Sequence, residues 1–176
     1  FSNTISPQPI FVRVEENANP VCYGTSFFNL VVNPLPSVVL PIPLEVCDDE
    51  TPDGISQFDL TLKDIEITNA DPNLVVSYYE TNMDALAQTN SITNATMFNN
   101  RSVNALPANP QLLYVVVTDV NTTCVSYTTL TLNVLPNPTP NTDANDLILC
   151  DDINPGDLRE VFDLTVNETY IINGQM

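Results

Sequence analysis

The chain resembles itself at an offset of about one hundred residues, and this limits the folds open to it more than any other feature. Cys22 and Cys124 stand 102 positions apart, Cys47 and Cys150 103, and Phe58 and Phe162 104. Two Asn-x-Leu-Pro segments begin at Asn33 and Asn133. Landmarks in one order at a nearly constant offset define a unit the size of a whole domain, far longer than a solenoid repeat. The 176 residues then divide into the C-terminal part of one unit at 1–36, a complete unit at 37–140 and the N-terminal part of a third at 141–176. The chain opens on Phe1, with no basic segment ahead of an apolar one, so the expectation is a fragment of a longer secreted protein, read after any signal peptide.

Each unit reads as a succession of short strands. LLYVVVTD at 112–119 has the β-branched and aromatic content of a strand in the middle of a sheet. TTLTLNVLP alternates, with Leu130, Leu132 and Val134 on the inward face, and Phe28, Leu30 and Val32 are their counterparts in the first unit. Turns of Asn, Asp, Thr and Pro, DVNTTC and ENANPVC, set Cys124 and Cys22 at hairpin tips. SQFDLTL at 56–62 predicts a strand with Phe58, Leu60 and Leu62 inward. LVVSYYET at 74–81 predicts another, with Tyr78 and Tyr79 on opposite faces, one in the core and one free to offer a sugar an aromatic surface. Asn82 as N-cap and Asp84 in the first turn predict one short helical turn over NMDALAQ. Together these features predict an all-β fold of tandem immunoglobulin-like antiparallel β-sandwich repeats of about 100 residues. The Cys…Trp…Cys pattern of antibody domains is missing, since the chain has no Trp.

Composition narrows the chemistry. Lys and Arg number 4 against 22 Asp and Glu, a formal net charge of −18 that disfavours nucleic acid and anionic membrane surfaces. No apolar run reaches the roughly 18 residues that a membrane span needs. His is absent, which removes the most versatile acid/base group and the commonest neutral metal ligand. No enzyme is expected, and carboxylate pairs such as Asp48 and Asp49 read as solvated turns. Asn94, Asn100, Asn121 and Asn167 open Asn-x-Ser/Thr triplets, which suit surface turns.

Four separated cysteines without a CxxC spacing point to disulfides and an extracellular setting. Two regular schemes fit the repeat: Cys47 with Cys124 inside a unit, or Cys22 with Cys47 and Cys124 with Cys150 between units. In an immunoglobulin-like sandwich the last hairpin lies at the pole where the chain enters, which favours Cys47–Cys124. Cys22 and Cys150 then pair outside the fragment. A loop of that size stabilises its domain by roughly 4 kcal/mol in the chain-entropy model.

Between Cys47 and the FDLT segment lies an acidic loop. Asp49, Thr51, Asp53 and Gly54 occupy positions 1, 3, 5 and 6 of an EF-hand-like frame, and Asp48, Asp49 and Asp53 are the candidate calcium ligands. Position 12 is Leu60 where that frame needs Glu, and the second copy, with Asp151, Asp152, Asn154 and Asp157, lacks Asp-Gly. A plain Asp-Gly turn is the competing reading, with no cofactor at all.

CDD…DG…FDLT, VVSYYET…DA, FSNTISPQPIFVRVEEN and the C…L.L.V.P.P exit resemble the tandem repeats of SprB-like adhesins, very large cell-surface proteins of gliding Bacteroidota exported by the type IX secretion system. The resemblance implies a structural stalk of a surface-anchored filament that serves gliding and adhesion. Its partners would be neighbouring repeats and other adhesin or motility components. A glycan- or polymer-binding module in a secreted protein, with surface polysaccharide as partner, is the alternative. Prolines in NPLPSVVLPIP favour an extended, semi-rigid joint between units.

Overall fold

The structure is a computed structural model that describes residues 1–104 and 106–175. It is mostly β with little helix. β1 (Gln8–Glu16) and β2 (Asn19–Leu30) form an antiparallel hairpin. β3 (Leu44–Cys47) follows, then β4 (Gln57–Phe58), a 3-10 turn over Leu60–Lys63, and α1 (Asp64–Thr68). Next come β5 (Leu74–Tyr79), α2 (Asn82–Ala87), β6 (Phe98–Asn99), β7 (Gln111–Asp119) and β8 (Val125–Leu135). A 3-10 turn over Ala95–Met97 precedes β6, and a third, Leu164–Asn167, leads into α3 (Glu168–Ile172). No helix among the described residues is long and apolar enough to cross a membrane.

The principal sheet has the order β3-β8-β7-β5. β5, β7 and β8 are antiparallel neighbours, whereas β3 runs parallel to β8, with Leu44 opposite Leu132 and Cys47 opposite Leu135. Alternation along β7 and β8 sends Leu113, Val115, Val117, Leu130, Leu132 and Val134 to one face, where all are buried as their spacing predicts. A sandwich would have a second full sheet facing them. Among the described residues the facing layer is instead made of the two-residue strands β4 and β6, the first 3-10 turn and α1, which contribute Phe58, Phe98, Leu60 and Ile67, with Val38, Ile92 and Ala95 packed at its margin. The other face carries Tyr79 and Val116 under Ala85 of α2.

Three local expectations are corrected. FDLT does not continue as a strand: the Asp59 carboxylate caps the turn that follows, accepting from Thr61 N at 3.1 Å and Thr61 Oγ1 at 2.5 Å. Leu60 is therefore buried but Leu62 is 67% exposed, and the next inward position is Lys63. Lys63 buries its stem and sends its ammonium to Glu66 Oε2 at 2.9 Å, while Glu66 Oε1 accepts from Ile42 N at 2.7 Å, fastening the entering segment to α1. Tyr78 and Tyr79 do point to opposite faces, yet both faces are covered and the two rings are only 3% and 4% exposed. Neither offers a surface to a sugar. The helical turn over 82–87 forms, with Thr81 and not Asn82 as its cap: Thr81 Oγ1 accepts from Asp84 N at 3.0 Å.

Tyr78 makes a testable electrostatic statement. Its hydroxyl lies 2.9 Å from Leu60 O and 2.7 Å from Asp64 Oδ1. Burial, and then the adjoining Asp64 carboxylate, push its ionisation well above the ordinary tyrosine range. A raised folded-state value gives a stability contribution that is complete below the unfolded value near pH 10. It is lost as pH rises further, because the unfolded chain releases a proton that the folded chain keeps. Urea titrations from pH 9 to 11.5 should show stability falling by about 1.4 kcal/mol per pH unit above pH 10, and Tyr78→Phe should remove that slope.

Similar local constructions recur along the chain. Ser6 Oγ donates to Val32 O at 3.0 Å and accepts from Val32 N at 2.8 Å. The Asn109 amide does the same to Val134 O at 2.8 Å and from Val134 N at 2.9 Å. Gln8 faces Leu30 and Ile10 faces Phe28, as Gln111 faces Leu132 and Leu113 faces Leu130. Asp163 caps the 3-10 turn at Leu164–Asn167 through Thr165 as Asp59 caps the first through Thr61. Asn141 N donates to Ile171 O as Val39 N does to Ile67 O, both at 3.0 Å. One difference stands out: Phe28 is 52% exposed where Leu130 is fully buried, since among the described residues no second layer covers β1 and β2.

Candidate functional site

The chain passes through its central body from one pole to the other. At the entry pole, Ser126 Oγ, at the start of β8, donates to Pro36 O at 2.6 Å. The entering segment then runs beside β8 and ends as β3. At the exit pole, Asp48 N donates to Leu135 O at 2.8 Å, and Asn137 Nδ2 donates to Asp48 O at 2.8 Å and Asp49 O at 2.9 Å.

This polarity separates Cys47 from Cys124. Cys124 follows the β7–β8 turn, where Asp119 Oδ1 accepts from Asn121 N at 2.8 Å and Asp119 N donates to Cys124 O at 3.0 Å. Cys47 lies beside Leu135, eleven residues farther along, or about 36 Å at ~3.3 Å per residue. A disulfide needs its Cα atoms within about 7 Å. The Cys47–Cys124 bond expected from the sequence is thus corrected. The hairpin does lie at the entry pole, but Cys47 ends its strand instead of beginning it, so parallel pairing carries it to the far pole. None of Cys22, Cys47, Cys124 and Cys150 is bonded to another of the four; Cys124 is half-buried and the other three are exposed.

The acidic loop that follows Cys47 uses its carboxylates on its own backbone. Asp48 Oδ1 accepts from Asp49 N at 3.1 Å and its Oδ2 from Gly54 N at 3.0 Å. Asp49 Oδ1 accepts from Thr51 N at 2.7 Å, and Asp53 Oδ1 from Ile55 N at 2.9 Å. Gly54 holds φ +74°, which favours glycine. The second loop repeats the device, with Asp151 Oδ2 accepting from Gly156 N at 2.6 Å. The side chains of Asp48, Asp49 and Asp53 do not converge as calcium ligands. No group of three or more Cys, Asp or Glu residues able to hold a metal ion occurs among the described residues. These are Asx-type turns. Calcium titration should leave the thermal midpoint unmoved, while Asp48→Ala should lower stability by about 1–2 kcal/mol in urea denaturation.

The amide of Asn100, one of the Asn-x-Ser/Thr asparagines, joins this loop to the rest of the body. Its Oδ1 accepts from Ser56 N at 2.7 Å, and its Nδ2 donates to Gly54 O at 2.8 Å and Ala108 O at 2.7 Å. With 1% exposure it is not a surface turn. Asn94 and Asn121 are exposed as expected, and Asn167 donates to Asn145 O at 2.7 Å. A neighbouring groove lined by Thr81, Asp84, Ser91, Asn94 and Asn104 contains the paired charges of Glu80 and Arg101, with Arg101 Nε 2.7 Å from Glu80 Oε2. Its aromatic lining residue, Phe98, is buried.

Sequence reasoning missed the Asn100 and Asn109 clips. The available signal for the second was a polar residue before a proline at matching places, Ser6-Pro7 and Asn109-Pro110.

A family model described as the Flavobacterium inter-domain disulphide bond domain matches residues 43–140. No curated protein and no solved structure matches the chain.

Proposed function

The chain belongs to the Flavobacterium inter-domain disulphide bond domain family, and on that premise we propose that its units are spacers of an extracellular filament, joined end to end and cross-linked through their cysteines. The observation that carries this reading is the opposite placing of entry and exit, Pro36 against Ser126 at one pole and Asn137 against Asp48 and Asp49 at the other. A domain traversed from pole to pole lengthens the molecule with every copy. Matching constructions before Pro7 and Pro110, and at the two capped turns, support tandem immunoglobulin-like units. The exposed apolar face of β1 and β2 is then half of a core whose other half belongs to the same unit.

Disulfides between domains persist in oxidising surroundings, outside the cytoplasm. The net charge of −18 keeps such filaments from associating with one another. The phrases similar to SprB-like repeats support a cell-surface adhesin acting in gliding. Electron microscopy of the natural full-length protein tests the spacer reading. The expected image is a thin rod growing by about 40 Å per repeat, a little more than the span of β8. A compact particle whose length does not follow repeat number would overturn it.

A further inference from the structure

We propose that each inter-unit disulfide joins the entering-strand cysteine of one unit to the hairpin-tip cysteine of the unit that follows, so that Cys47 pairs forward along the chain and Cys124 pairs backward. This rests on the reading of the units as disulfide-linked repeats and specifies their connectivity.

Short steps across one joint lead to it. Cys47 is the lateral neighbour of Leu135, at the usual spacing of about 4.8 Å between strands. The bonds from Asp48 N to Leu135 O and from Asn137 to Asp48 O and Asp49 O hold the departing chain against the residues just after Cys47. One residue beyond Leu135 is Pro136, which matches Pro36 at the offset of the two Asn-x-Leu-Pro segments. The Pro36 carbonyl accepts from Ser126, two residues from Cys124. Carried forward by the repeat, Pro136 meets the start of the last strand of the following unit, beside that unit's hairpin cysteine. The two sulfurs are then separated by one strand spacing, one residue, one hydrogen bond and two residues. Read backward, the same rule sets Cys124 next to the entering-strand cysteine of the preceding unit, at the joint formed by Leu35 and Pro36.

The alternatives ask for more. Cys47–Cys124 must cross the length of β8. Cys22–Cys47 and Cys124–Cys150 require neighbouring units to fold back side by side, because the hairpin tip and the end of the entering strand lie at opposite poles. Forward pairing needs no reversal, and it gives each joint two covalent connections, peptide and disulfide, which restrict bending there. In forming the bond each thiol loses its hydrogen. Two electrons and two protons pass to a disulfide donor, a thiol oxidoreductase or a small-molecule disulfide, which is reduced to its dithiol.

Peptide mapping of the natural full-length protein, thiols blocked at harvest and the chain cleaved at Asp and Glu without reduction, tests this. The units differ in sequence, so each cross-linked peptide can be assigned. The expected products join the Cys47 peptide to the hairpin-tip peptide of the next unit, and the Cys124 peptide to the entering-strand peptide of the unit before. Recovery of Cys22–Cys47 or Cys124–Cys150 peptides overturns the connectivity and leaves the disulfide-linked spacer standing. A Cys47–Cys124 peptide, or free thiols throughout, overturns both.

Discussion

Asn100→Ala should cost the central unit about 3 kcal/mol, a large part of the stability of a domain of this size. The amide makes three short bonds to main-chain groups, Ser56 N, Gly54 O and Ala108 O, and is almost wholly shielded from water. Truncation to Ala leaves one part-buried donor and two part-buried acceptors without this partner, each costing about 1–3 kcal/mol less whatever water recovers in the vacated space. Asn100→Asp separates acceptor from donor. A carboxylate keeps the bond from Ser56 N but faces two carbonyl oxygens with lone pairs, so the loss should match or exceed that of Ala at neutral pH. Urea unfolding at constant m-value checks both. Asn94→Ala is the control: its side chain is exposed and, among the described residues, accepts from Thr96 Oγ1 alone at 3.1 Å, so a change within about 0.5 kcal/mol is expected. If Asn100→Ala costs under 1 kcal/mol, water replaces the amide and the clip is dispensable.

What the sequence disclosed depended on how local the deciding interaction was. Leu130, Leu132 and Val134 are inward because a strand alternates its side chains, and that period is written in consecutive residues. The helical turn of α2 was visible for the same reason, and its cap missed by one residue because Thr81 and Asn82 are both competent caps. The direction of β3 was hidden. Four residues pair in parallel as readily as antiparallel on their own evidence, and the choice is made by where the entering segment packs, through Glu66 and Ile67 of α1. That hidden choice decided the disulfide question, since it moved Cys47 by the length of a strand. The calcium frame failed for another reason. Carboxylate spacing in a sequence does not say whether the oxygens face a cation or the backbone N–H groups of their own turn, and here Asp48, Asp49 and Asp53 bind the latter.

Phe58→Ala should destabilise the unit by about 3–5 kcal/mol, whereas Leu62→Ala should change it by no more than about 0.5. An uninterrupted strand over 56–62 would put both side chains in the core and give both substitutions a cost of several kcal/mol. Instead, Phe58 pairs with Phe98 across β4 and β6 and is fully buried among Leu60, Ile67 and the inward residues of β7 and β8. Its removal opens a cavity in a layer whose backbone is pinned by the Asp59–Thr61 cap and by the Tyr78 hydroxyl at Leu60 O, so the surroundings have little freedom to collapse into the space. Leu62 is carried outward by the capped turn and has little apolar contact to lose. Asp59→Ala belongs between the two, at about 1 kcal/mol, because it removes the cap that diverts the chain from strand to turn but leaves the buried side chains in place. Chemical denaturation of the three variants supplies the ranking. Equal losses for Phe58→Ala and Leu62→Ala would restore the strand and remove the capped turn from the account of how the core is closed.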